Sequence, residues 1–558
     1  MYINMKKIKK IKRLMAAILS CMLLFAGVGC RPNDPPELPD NSWEEEYAYF
    51  KPLNMNAGKK LKVFGFSGVQ DLTADQLLIA TAIQGIFAKD EVTYYNGGPP
   101  VPYTSVWLNN LIENYNVTVE YVTLDEMMTA YVNQFGTAAG YSLCSLGNDS
   151  VNAATNAAAA ENVLPATAAT SAYLGGYGLN KTYDFTDVPA AYFSAEHYSF
   201  TLFKSKLNDK GLFSLTPERL AARDYAVACG YYTYYMTDAF SPESLDYVGE
   251  IYDWVERDSP VFGWGGIDEA TDVNRHSQYG LFTIACDWGY NWSVHACPAF
   301  YGNGGIKQKT VEADTADEEN VHYVSIVMSD GDNIQAVTNT LARLPEYFNH
   351  NGGDFPMGYN IAPSLVELGA GVLKYCYNLT GTSDYFVGAV SGQGYINPGS
   401  YSELDKFCSR MSWYLKRADL NVVQVLDNSI GSDVRKTYAK IGGLKGVQVM
   451  LGDYYEQGFG SVYWENDIPF VTCRVSLWQG SSTGGSAQAA AARINGFSTD
   501  VHSAAAYTMV NVHPWSMSYE DVCQMVSLLN GNVRVVTANR FFDLLARNVP
   551  HENVTLGF

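Results

Sequence analysis

From residue 321 to the end of the chain, short apolar runs recur at 322–328, 357–361, 385–390, 422–426, 447–451, 468–475, 505–512 and 533–536, and all but one or two are trailed by a helical segment. Apolar runs of this length, rich in β-branched residues and alternating with helical patterns, are the signature of βαβ units over a parallel sheet. Eight repeats in about 240 residues match the size of a (β/α)8 barrel, typically ~250 residues. A distorted or seven-stranded barrel fits the same spacing.

Upstream the rhythm is similar. Residues 61–66 read as a buried strand, and Thr73-x-x-Gln76 is a capping box opening an apolar-periodic helix to about Lys89. A strand at 117–122, a helix after Asp125, a strand at 141–146 and an alanine-rich helix from Val151 follow. Residues 190–300 read as helical, closing on two strands, 261–267 and 281–286. Each is followed by acid: Asp268 and Glu269, then Asp287. Gly175-Gly176-Tyr177-Gly178 has neither the spacing nor the preceding strand of a nucleotide-binding turn and reads as a loop.

The chain of 558 residues exceeds one ordinary domain. The expected fold class is α/β: a mostly parallel α/β domain over 60–311, an acidic linker over 312–320, and the barrel over 321–558. Ahead of these, Lys6, Lys7, Lys9, Lys10, Lys12 and Arg13 precede an apolar run over 14–28, the pattern of a secretory signal over 1–29. Gly29-Cys30 has the form of a bacterial lipoprotein cleavage site with Cys30 lipidated; Cys21 is a second candidate acceptor, and plain secretion the other reading. Residues 30–59 then serve as a tether, and the expected location is the cell envelope, periplasmic or at the surface. Without residues 1–29 the chain keeps 31 basic and 58 acidic residues, a net charge of −27. Such a surface repels phosphate backbones, so nucleic acid is not an expected partner. None of the ten cysteines forms a C-x-x-C pair, which leaves zinc-ribbon and redox motifs unsupported. Most sit in apolar runs as expected for buried thiols, with a Cys286–Cys297 disulfide open.

If the repeats form a barrel, chemistry belongs at the C-terminal ends of the strands. The first end carries Ser329-Asp330-Gly331-Asp332-Asn333, the third Ser391-Gly392-Gln393-Gly394-Tyr395-Ile396-Asn397-Pro398, the fourth Asp427 and Asn428, and the fifth Gly452-Asp453-Tyr454-Tyr455. The sixth carries Arg474 and Trp478, the seventh His513-Pro514-Trp515. Glycosidic cleavage needs one carboxylic acid to protonate the leaving oxygen and a second carboxylate as nucleophile or base. Asp330, Asp332, Asp427 and Asp453 are the catalytic candidates, the first two roughly 6.6 Å apart if the chain is extended. For either of them the alternative is a turn in which Asp330 accepts backbone N–H bonds and Asp332 caps the following helix. Tyr395, Tyr454, Trp478 and Trp515 are candidate sugar platforms. Asn333, Gly392, Gly394, Arg474 and His513 are candidate binding residues, and Glu269 and Asp287 possible contributors from the first domain.

The 391–398 segment resembles the signature of the GxGYxYP family of glycoside hydrolases, with Asn397 where that name has its second tyrosine. The resemblance extends over most of the exported chain, including the helix at 77–86 that ends in Gln84-Gly85. It implies a sugar-processing hydrolase acting on an oligo- or polysaccharide and hands over no catalytic residue. No cofactor or metal is expected. Two alternatives stand beside it. One is a non-catalytic glycan-binding lipoprotein, attached to the membrane through its lipid. The other is a metal-dependent carbohydrate deacetylase using Asp330, Asp332 and His513, against which the lack of any His-x-x-x-His pair counts.

Overall fold

Three small parallel sheets precede one large one in the computed structural model, which describes residue 50 and residues 59–557 apart from 66–69, 98–102, 239–240, 302–304, 311–317, 342–346 and 349–354. The signal, Cys30, most of the tether and most of the linker lie outside the described residues.

The first sheet is β1 (Lys60–Phe64), β2 (Thr93–Tyr95) and β3 (Thr118–Tyr121), in the order β2-β1-β3. Its first crossover helix, Ala74–Phe87, starts on the expected capping box: Thr73 Oγ1 accepts from the Gln76 amide, and the Gln76 side chain accepts from the Thr73 amide. The second sheet is β4 (Tyr141–Leu143), β5 (Leu164–Ala166) and β6 (Lys181–Asp184), ordered β5-β4-β6. Gly175 and Gly176 end the short helix Ser171–Gly176. The third is β7 (Asn208–Ser214), β8 (Tyr231–Tyr234), β9 (Ser259–Phe262) and β10 (Leu281–Ile284), ordered β10-β9-β7-β8.

The expectation that 190–300 is helical up to its last two strands is therefore corrected by β7 and β8. β7 opens on Asn208-Asp209-Lys210 and buries only its last four residues, so its sequence shows little apolar run. β8 follows the buried helix Arg223–Cys229 after Gly230 alone, and its tyrosines continue that helix's apolar pattern.

The large sheet contains β11 (His322–Met328), β12 (Gly358–Ile361), β13 (Tyr385–Gly388), β14 (Val422–Asp427), β15 (Gly446–Leu451), β16 (Val462–Glu465), β17 (Ile468–Thr472), β18 (Val475–Leu477), β19 (Tyr507–Val512) and β20 (Val533–Val535). Its order is β16-β17-β15-β14-β13-β12-β11-β19-β18, with β20 on β11, and every pair is parallel except β16–β17. This is not the order of eight equal repeats. The run at 468–475 changes partners midway: β17 pairs with β15, the Cys473 amide donates to Val449 O, the Arg474 amide donates to Met509 O, and β18 pairs with β19. The pairing path that leaves β11 through β12 thus comes back to it through β19. The eighth run makes only a partial strand, since β20 meets residues 322–324 of β11 while β12 meets Val327 and Met328 on the same strand.

Alternation sorts the two faces of the large sheet. Val324, Ile326 and Met328 of β11 join a core cluster with the covering helices, through residues such as Leu373, Phe407 and Tyr414. Tyr323 and Val327 join a separate cluster with Met509, Tyr507, and Phe541 and Phe542 of the helix Ala538–Asn548, which packs on the other, concave face. The upstream sheets pack directly onto the first of these clusters. Trp107 Nε1 donates to Thr338 O at 2.7 Å, and the Gln335 amide to Ala285 O at 2.9 Å. All eight described cysteines are free thiols, Cys286 and Cys297 among them.

Candidate active site

The loop after β11 is shaped by one glycine. A Cβ on Gly331 would lie 1.7 Å from the Asn360 carbonyl oxygen, so only glycine lets this loop cross the end of β12. Asp330 just before it has φ +68, left-handed rather than extended. The spacing estimated for extended chain therefore does not apply to the pair Asp330 and Asp332. The helix Ile334–Asn339 is capped by Asn333, whose Oδ1 accepts from the Ala336 amide at 3.3 Å. The capping role considered for Asp332 falls to its neighbour, and the Asp332 carboxyl instead lies against the Asn360 side chain.

The two glycines of the 391–398 loop have separate physical reasons. Gly392 has φ +124 and packs on Met411, while a Cβ on Gly394 would sit 2.4 Å from the Phe282 ring. That close approach lets Tyr395 exchange two backbone hydrogen bonds with Thr283 of β10, at 2.9 and 2.8 Å. The exchange ties the loop to the third sheet, and with it the region that carries Glu269. Glu269 opens the helix Glu269–Gln278, whose cap Asp268 accepts from the Thr271 amide at 2.8 Å.

One cavity results, lined among others by Asp330, Asp332, Glu269, Tyr395, Tyr455 and Gln424. The Asp330 carboxyl is pushed up to about 7 by burial and then by the charge of Asp332, with Ser329 and Trp515 hydrogen bonds working the other way. Although Glu269 as a residue is exposed, its carboxyl turns inward to Tyr395, and burial followed by the charge of Asp332 pushes it up to about 7. Burial pushes Asp332 to about 6, opposed by its own backbone N–H and by Asn360. Three carboxyls this close cannot all ionise together near neutrality. The Tyr395 and Tyr455 phenols are raised by burial first and by these carboxylates, which keeps them neutral donors. Ser391, Tyr454 and Tyr455 share positive φ with Asp330, at +59, +53 and +60, so backbone strain gathers at this site.

The strand-end aromatics form its rim. Trp478 stacks face to face on His513, with ring centres 3.7 Å apart, and Tyr454 and Tyr455 meet it edge-on at 5.3 and 5.2 Å. His513 Nδ1 lies 2.9 Å from Ser516 Oγ and burial pushes the ring down to about 4, so it is a neutral wall residue. Trp515 is 53% exposed and lies against Asp330.

Other sequence candidates lie elsewhere. Asp427 accepts from the amides of Gly399 (2.9 Å) and Asn428 (2.6 Å), holding the turn behind the 391–398 loop. Asp453 is exposed in the turn Asp453–Tyr455. Arg474 donates to Ala505 O at 2.8 Å with its guanidinium 3.6 Å over the Phe497 ring, a buttress where β19 begins. Asp287 is buried beside the cavity rather than in it, its Oδ1 without a partner and its carboxyl pushed by burial to about 7.

The sequence reading did not single out Tyr455, Trp264, Gln424 and Asn360, nor Trp288, which is 45% exposed with the Arg219 guanidinium 3.7 Å over its ring. For Gln424 and Asn360 a signal existed, one amide inside each otherwise apolar strand.

Residues 320–546 match the family model described as GxGYxYP putative glycoside hydrolase C-terminal domain, and residues 210–297 match that of the GxGYxYP third domain. Among solved structures the chain is similar to a putative hydrolase from Bacteroides thetaiotaomicron VPI-5482, with 25% identity and a TM-score of 0.76, over 90% of this chain and 98% of that one. No curated protein matches the chain significantly.

Proposed function

The chain belongs to the GxGYxYP family, and on that premise we propose that it is a glycoside hydrolase whose reacting groups are the carboxyls of Asp332 and Glu269. The observation that carries this reading is the meeting of three carboxyls with raised titration points, from two distant parts of the chain, around one cavity. Asp332 has the lowest titration point of the three, held down by the neighbouring Asn360 side chain, so it is the carboxylate that acts as nucleophile or as base for a water. Glu269 comes from the other side of the cavity and holds its proton to about pH 7, which suits a general acid. Asp330, adjacent to Asp332, stays protonated while Asp332 is charged and keeps the cavity from carrying three charges. Trp515, Tyr454 and Trp288 offer exposed faces for pyranose rings, and the acidic cavity favours a neutral glycan over an anionic one. Export, and a lipid on Cys30, belong to the same proposal: a polymer-degrading enzyme held at the cell envelope.

The test incubates residues 31–558 with plant, host and bacterial glycans and reads products by mass spectrometry, beside Asp332→Asn and Glu269→Gln. Shorter sugars released by the wild type and lost in both folded variants support hydrolysis. Loss of acetyl mass from intact chains, or glycan binding with no product, would overturn it.

A further inference from the structure

The concave face of the large sheet is polar where it approaches the cavity. β14 and β15 place Gln424 directly beside Gln448, and Gln424 Nε2 donates to Gln448 Oε1 at 3.2 Å. Asn360 Nδ2 donates to Gln424 Oε1 at 2.6 Å, and the same side chain lies against Asp332 and holds its carboxyl down. All three amides are buried. An ionised carboxylate only accepts, which fixes how each amide must face. Asn360 has to present Nδ2 to Asp332, its second N–H then needs Gln424 Oε1, and Gln424 Nε2 is left for Gln448 Oε1. The three orientations are therefore set in series by one charge at the end of the chain.

The ladder is open on the protein side at both ends, since Asn360 Oδ1 is also buried without a protein partner. Gln448 Nε2, both polar atoms of Asn511, Ser476 Oγ and Ser325 Oγ are buried without a protein partner. Ser476 and Asn511 are register neighbours on β18 and β19. Buried groups of this kind are satisfied by ordered water, given several polar partners around it.

We propose that Asn360, Gln424 and Gln448 are positioning residues that hold the Asp332 carboxylate in its orientation towards the cavity, and that ordered water among Gln448, Asn511, Ser476 and Ser325 closes the ladder. This rests on Asp332 being the reacting carboxylate. A donor aimed at the charged form lowers a carboxyl's titration point, and losing it raises that point.

The test compares wild type with Gln424→Leu and Gln448→Leu by two readouts. One is an isotope-edited infrared titration of the aspartate carboxyls, with the Asp332 band assigned by its loss in Asp332→Asn. The other is the pH dependence of kcat/KM on a cleaved glycan. Gln424→Leu removes the neutral bond that orients Asn360 and is expected to raise the Asp332 midpoint, and the acidic limb of the profile, by about half to one pH unit, the span of a lost neutral hydrogen bond. Gln448→Leu shifts both the same way by less, and serves alone if Gln424→Leu does not fold. An Asp332 midpoint unmoved in a folded variant overturns the ladder. A crystallographic map at high resolution with no water within hydrogen-bond reach of Gln448 Nε2 overturns its closure. If the wild type cleaves no glycan, the infrared titration still decides the ladder, and only the hydrolase reading fails.

Discussion

Replacing Asp330 by asparagine should make the protein more stable above neutrality, and by an amount that depends on pH. Asp330 has its folded titration point near 7, against 3.8 for a free aspartate. Below about pH 4 the carboxyl is protonated in both folded and unfolded chains and costs nothing. As pH rises from 4 to 7 the unfolded chain ionises while the folded one resists, so wild-type stability falls across that window and stays lower above it. The difference of about 3 pK units is worth ~4 kcal/mol at most. Asp330 keeps some contact with solvent and shares its shift with Asp332 and Glu269, so about 2 kcal/mol is the expected cost at pH 8. Asparagine never ionises, and it can still accept from Ser329 Oγ, now 3.1 Å from Asp330 Oδ2. Urea unfolding followed by tryptophan fluorescence at pH 4, 6 and 8 should therefore show no difference at pH 4 and a gain for Asp330→Asn of about 2 kcal/mol at pH 8. A difference that is flat with pH, or a variant less stable at pH 8, would refute the argument. The first result would mean that folding does not shift Asp330, the second that the folded site favours its charged form. A gain bought with lost activity is the expected trade at a strained, charge-crowded site.

On a cleaved glycan, kcat/KM should follow a narrow bell, its acidic limb near pH 6, where Asp332 must lose its proton, and its basic limb near pH 7, where Glu269 must keep one. Glu269→Gln should lower kcat by about 10²–10⁴-fold, the span of a lost general acid, with an unchanged circular dichroism spectrum. Gly331→Ala should lower stability by about 1–3 kcal/mol or more in urea unfolding, because the atom in the way is the Asn360 backbone oxygen, which cannot turn aside as a side chain can. Trp515→Ala should leave the unfolding midpoint in place, since the indole is half exposed, and weaken glycan binding about 3–10-fold in calorimetry, the scale of one stacking contact.

Local pattern made much of this chain readable in advance. The Thr73–Gln76 capping box, the strand ends carrying Asp330, Asp332, Tyr395 and Trp515, and the buried thiols all follow from residues acting on near neighbours or on their own polarity. β7 and β8 escaped because a charged start and a tyrosine run hide their period. Asp427 ends its strand as its spacing indicates and Arg474 lies at the partner change between β17 and β18, yet their side chains are taken up by a turn and by Ala505. Spacing places a Cα; it does not aim a side chain.

The sequence alone determined the α/β class, the recurrence of strand and helix through residues 321–558, and the strand ends that bear acid and aromatic groups, because hydrophobic periodicity and turn chemistry act over a few residues. Tertiary structure decided which of those groups meet. Glu269 reaches Asp332 because Gly394 packs on Phe282 and Tyr395 pairs with Thr283, contacts between segments more than one hundred residues apart. The partner change at Cys473 and Arg474, the left-handed turn at Asp330 and the raised carboxyls depend likewise on what surrounds each group in space. Burial and neighbouring charge, which set the chemistry here, exist only once distant parts of the chain have packed together.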